Sequence, residues 1–210
     1  MKNGELSKEE LSKAKVTTVI TVLIVASILF ASLFVSSYDS STKLKQENLL
    51  YQTILDAQAQ VSEASTDEQK AIDFYSEASF SYEKYDYTGV ESNCRLARGY
   101  FLDVGQKYND IRASLEISYI DDKLIDIYIQ ELILLSEIQT NLYEACEHFE
   151  SASRYYDTYY NSVIYEDADY DMGTQEIEAM NEKINLHDQN IRDYNALLSD
   201  YASELKNRLK

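Results

Sequence analysis

Residues 135–160 read LSEIQTNLYEACEHFESASRYYDTYY and contain neither Gly nor Pro. Leu135, Ile138, Leu142, Ala145, Phe149, Ala152, Tyr156 and Tyr159 recur at steps of three or four. That rhythm gathers the apolar groups on one face of an α-helix and leaves the acidic ones on the rest. A face this long is stable only against other helices.

The same spacing extends in both directions. Upstream, Leu50, Ile54, Ala57, Val61 and Ala64 form one stripe; Val90, Cys94, Ala97, Phe101, Val104, Tyr108, Ile111 and Leu115 form another. Downstream, Ile177, Met180, Ile184, His187, Ile191, Tyr194, Leu198, Tyr201 and Leu205 form the last. The chain of 210 residues has no Pro, and after residue 37 its glycines are Gly89, Gly99, Gly105 and Gly173. Helices exclude these two residues, whereas strand turns use them. The expected class is all-α: an antiparallel four- to five-helix bundle, with helices over about 7–64, 67–86, 88–117, 121–161 and 174–208. The breaks rest on a capping-box pattern at Ser65–Glu68, a turn at Asp86–Gly89, a reversal at Ser118–Asp122 and an Asp-rich loop from Asn161 to Thr174.

Charge narrows the function. With 19 Lys and Arg against 37 Asp and Glu, the net charge is −18, and a phosphate backbone repels such a surface. Nucleic acid is therefore not an expected partner. Residues 16–35, VTTVITVLIVASILFASLFV, carry no charge, and as a helix they span about 30 Å, the thickness of a bilayer core. The run exceeds the core of a cleaved signal, although Val35-Ser36-Ser37 offers a small-residue cleavage site. Lys2, Lys8, Lys13 and Lys15 precede it and only Lys43 and Lys45 follow closely, which orients the N-terminus inside. The expectation is a short cytoplasmic segment at 1–15, a single-pass signal-anchor helix at 16–35 in the cell membrane, and an acidic extracytoplasmic domain at 36–210. No Gly or Pro lies between Val35 and Leu50, so the anchor is expected to run into the domain without a hinge.

Within residues 71–100, Ala78, Tyr82, Asp86-Tyr87, Val90, Cys94 and Ala97 resemble a single tetratricopeptide-type helical hairpin. In that family small residues face the partner helix and an Asp-Tyr pair sits at the turn. Val90 and Cys94 depart from its usual small and aromatic choices, and no second copy follows. The resemblance implies hairpin packing and a protein-interaction role.

Few residues suggest chemistry. Cys94 and Cys146 lie at equal offsets from a turn near residue 120, so an antiparallel hairpin places them level, and they are the disulfide candidate. Asp167, Asp169 and Asp171, with Glu178 eleven residues after the first, resemble an EF-hand calcium loop. Met172 stands where that loop turns on Gly. No other cofactor is suggested. Glu144 and His148 are one turn apart but lack further metal ligands, and His187 falls on an apolar stripe as a core imidazole. No phosphate loop, nucleophile elbow or Cys-x-x-Cys pair occurs, and an enzyme is not expected. Nineteen Tyr and no Trp leave Tyr to supply core bulk; that is the favoured reading of the cluster Tyr155, Tyr156, Tyr159, Tyr160, Tyr165 and Tyr170 as well, with a contact surface as the alternative. The expected function is structural or interactive: an accessory subunit of a membrane complex or a surface scaffold, with the lipid bilayer, a protein partner or a second copy as partners. The alternatives are a ligand-sensing bundle acting through a partner and a filament subunit assembled through its N-terminal helix.

Overall fold

The computed structural model describes residues 43–118, 122–162 and 167–208. They form four helices: α1 (Lys43–Glu83), α2 (Tyr87–Ile117), α3 (Lys123–Asn161) and α4 (Asp167–Arg208). Each packs on its neighbour in sequence, and α1 and α4 make no extended backbone contact with each other. One hydrophobic cluster nevertheless draws on all four helices. It takes in most residues of the expected stripes: Leu50 and Ile54 of α1, Phe101 and Ile111 of α2, Leu132 to Phe149 of α3, and Tyr194 to Leu205 of α4. At 1.5 Å per residue the 41 residues of α1 give a rod about 60 Å long. One pole holds the start of α1, the other the turn from α1 to α2.

Two expected breaks are corrected. The helix assigned to 67–86 is the upper half of α1, which continues through Ser65–Glu68. Ser65 bonds back to the Ser62 carbonyl inside the helix, and Glu68 points into the core. The loop expected from Asn161 to Thr174 is also shorter, because α4 begins at Asp167. Asp167 and Asp169 occupy its first turn, where the positive end of the helix dipole favours carboxylates. Residues 16–35 and the expected continuity into Lys43 lie outside the described residues. Among the described residues no helix is long and apolar enough to cross a membrane.

The turns are closed by side chains. Asp86 caps α2 by accepting from the Gly89 N–H at 2.9 Å. Asp122 caps α3 by accepting from the Leu124 N–H at 2.8 Å, and its two oxygens take Arg208 of α4 at 2.8 and 2.9 Å. On the flank, Asp67 binds Lys107 at 2.8 Å and Lys70 at 2.7 Å, and these cations, Lys107 first, hold its carboxyl down at about 2.

Polar groups also enter the core. Glu68 of α1 accepts from the Tyr108 hydroxyl of α2 at 3.1 Å and from Gln139 Nε2 of α3 at 2.7 Å, which pins three helices at one level. Glu150 of α3 is buried between Arg98 of α2, at 2.9 Å, and Arg154 one turn on. Glu131 has no such support. It is 4% exposed, its Oε1 has no hydrogen-bond partner, and burial pushes its carboxyl up to about 8.

Candidate interaction surface

The pole where α1 turns into α2 collects aromatic rings from every helix. Tyr82 of α1 meets Tyr87 of α2 at 6.2 Å between centroids and Tyr156 of α3 at 6.1 Å. Tyr87 stacks on Tyr160 at 6.0 Å with planes 5° apart. Tyr159 meets Tyr160 at 5.0 Å and Tyr170 of α4 at 5.3 Å. Offset and edge contacts of this kind add to the area the rings bury. The cluster has an inner and an outer layer: Tyr87 and Tyr156 are buried, whereas Tyr160 is 48% and Tyr170 44% exposed. Burial pushes the Tyr87 hydroxyl up to about 12, so the ring stays neutral at physiological pH.

Tyr85 completes the outer layer under strain. Its N–H donates to the Tyr82 carbonyl at 3.0 Å and that of Asp86 to the Ser81 carbonyl at 2.9 Å. This is the Schellman pattern that ends a helix, with Tyr85 at the left-handed position normally held by Gly. Its φ is 60°, the only positive value among the described non-glycine residues. The ring gains no burial in return, being 75% exposed. It lies within electrostatic reach of Tyr87 and Tyr160, continuing the same patch.

The chain at this pole is acidic: Glu83 and Asp86 stand at the turn from α1 to α2, Asp157 near the end of α3, and Asp167, Asp169 and Asp171 at the start of α4, against Lys84 and Arg154. Both cations are engaged: Lys84 lies over the Phe80 ring at 3.6 Å, and Arg154 pairs with Glu150 and Glu91. Beside the tip, Ser151, Arg154, Tyr155, Thr158 and Asp169 line an open groove of about 300 Å³.

The remaining candidates fall elsewhere. The calcium ligands are not brought together: in α4, Asp169 points away from Asp167 and Asp171, and Glu178 stands about 16 Å along the axis from Asp167. Among the described residues no group of three or more His, Cys, Asp or Glu could hold a metal ion. Glu144 pairs with Lys183 at 2.5 Å and His148 with Glu176 at 2.7 Å, each a tie from α3 to α4. His187 is buried on the apolar face of α4, its Nδ1 2.8 Å from Asp188. Cys94 and Cys146 lie at one level as buried free thiols, and burial first, then the hydrogen bond the Cys146 thiol donates to Cys94, raises the Cys146 thiol. Sequence reasoning missed Tyr85, Glu68 and Glu131. No family model, curated protein or solved structure matches this chain.

Proposed function

We propose that the chain is a membrane-anchored helical rod, displayed outside the cell membrane, with a protein-interaction role as an accessory subunit or surface scaffold. One observation carries the reading: the exposed tyrosines sit at the pole opposite the start of α1. An anchor at 16–35 would enter α1 at Lys43, so the rod would hold its aromatic end about 60 Å from the bilayer. Tyr is enriched at interface hot spots, and a cluster left half in water is unlike a finished core. The acidic surface supports an outward address, since it would be repelled by anionic inner-leaflet lipids.

Gentle detergent extraction followed by identification of co-purifying proteins tests the reading. The expected result is recovery in the membrane fraction with a defined protein in stoichiometric amount. Recovery as a free monomer at native abundance would overturn it. A second reading, a ligand-sensing bundle, is supported by the buried polar chain through Glu68, Tyr108 and Gln139. A small-molecule screen by thermal shift, with Gln139→Leu as control, would separate the two.

A further inference from the structure

We propose that the tyrosine tip formed by Tyr85, Tyr160 and Tyr170 docks a basic, arginine- or lysine-bearing segment of a partner protein. The inference rests on the interaction role given above and names its site and partner chemistry. Three observations converge on it.

The first is Tyr85. A bulky side chain in the left-handed region costs about 1–2 kcal/mol, and burial does not offset that cost here. Folding alone would favour Gly at this position. Strain held at an exposed aromatic side chain points to a contact made outside the chain.

The second is charge. Six acidic and two basic side chains at the tip leave a net −4, and both cations already have partners within the protein. The helix dipole accounts for Asp167 and Asp169 but not for Glu83, Asp157 or Asp171. Such a field draws cationic groups and repels a second copy of a chain whose net charge is −18. It repels an anionic lipid surface on the same ground.

The third is the pairing of ring faces with carboxylates. A guanidinium or ammonium group over a Tyr ring is attracted by its quadrupole, and an adjacent carboxylate adds a charge-assisted hydrogen bond. The structure already contains this arrangement within the chain, where Arg98 stacks on the Tyr143 ring at 4.7 Å and binds Glu150.

Photo-crosslinking of the full-length protein, in membranes isolated from the cells that make it, tests the inference. Tyr160 or Tyr170 is replaced in turn by benzoylphenylalanine, and for comparison so is Leu102 on the flank or Ile117 at the opposite pole, both well exposed. The expected result is one protein adduct from the tip positions whose cross-linked peptide is rich in Arg and Lys. Its yield should fall about five-fold when salt is raised roughly ten-fold before irradiation, as screening requires. Tyr85→Gly should lower the yield by a similar factor while leaving the helical circular dichroism unchanged. Adducts to a second copy, to lipid or to an acidic peptide, or a yield indifferent to salt, would overturn the inference. Adducts from Leu102 or Ile117 alone would overturn the tip and leave the interaction role standing. No protein adduct from any position would overturn both.

Discussion

A β-carbon on Gly173 would lie 2.8 Å from Cε1 of Tyr156 and 3.0 Å from Cδ1 and Cζ. The first turns of α4 therefore sit against the Tyr156 ring with no room for a methyl group. That ring cannot swing aside, because Tyr82, Tyr87 and Tyr170 surround it.

Gly173→Ala should accordingly lower stability. Overpacking costs about 1–3 kcal/mol, and the better helix propensity of Ala returns at most about 1. Urea denaturation should show the net loss, and Tyr156→Leu in the same chain should remove most of it by opening the space. A variant as stable as the parent would contradict the packing described.

Tyr85→Gly should act in the opposite direction. Relief of the left-handed conformation at a helix end should stabilise the protein by about 1 kcal/mol. The thermal midpoint should rise by a few degrees, whereas Tyr85→Val, whose β-branched side chain is more strained at positive φ, should lower it.

Glu131 should make stability depend on pH. Its carboxyl is pushed up to about 8 in the fold by burial, against an ordinary value near 4.5 in the unfolded chain. Between these values the folded state holds a proton that the unfolded state has released, so stability falls as pH rises from about 4.5 to 8 and then levels. The loss is on the order of 3–5 kcal/mol. Tyr128, Tyr194 and Tyr201 lie around it with hydroxyls raised by burial, so they remain neutral over this range. Glu131→Gln should flatten the difference between denaturation curves at pH 5 and pH 8 and be the more stable protein at the higher pH.

The cysteine pair should be inert in the folded protein and reactive outside it. Both thiols are fully buried, and the raised Cys146 thiol has little thiolate to attack a reagent. Neither should react with a thiol-specific chromogen until urea is added. Refolding in a glutathione redox buffer should give an intramolecular bridge, each sulfur losing its proton and the pair giving two electrons to oxidised glutathione. Closing about fifty residues would stabilise the fold by roughly 3–4 kcal/mol in the chain-entropy model. Cross-linking only between chains would show that the two thiols are not level.

The parts of the fold legible in the sequence are those where burial and apolarity coincide. Leu135 to Tyr156, with its clean three-and-four spacing, supplies much of the buried face of α3. Reading failed where a buried position carries a polar letter. Glu68 continues the stripe from Ala64 to Ala71, but beside Ser65 it reads as a cap. Glu131 stands one turn before Leu135 and belongs to the same face. Asp167 to Asp171 reads as a loop because Asp disfavours helix interiors, and the helix start that suits it is a matter of position. The strain at Tyr85 leaves no trace in composition, because Tyr carries no turn signal.

Neighbour-to-neighbour packing gives the rod a centre and two edges. Among the described residues α3 buries sixteen residues and α4 only six in a longer helix. Since α1 and α4 share little backbone contact, either edge helix can detach while the hairpin of α2 and α3 keeps its shared interface. Amide exchange in the native state should therefore be fastest along α4 and slowest across α2 and α3. A rod that opens from its edges can be taken apart one helix at a time.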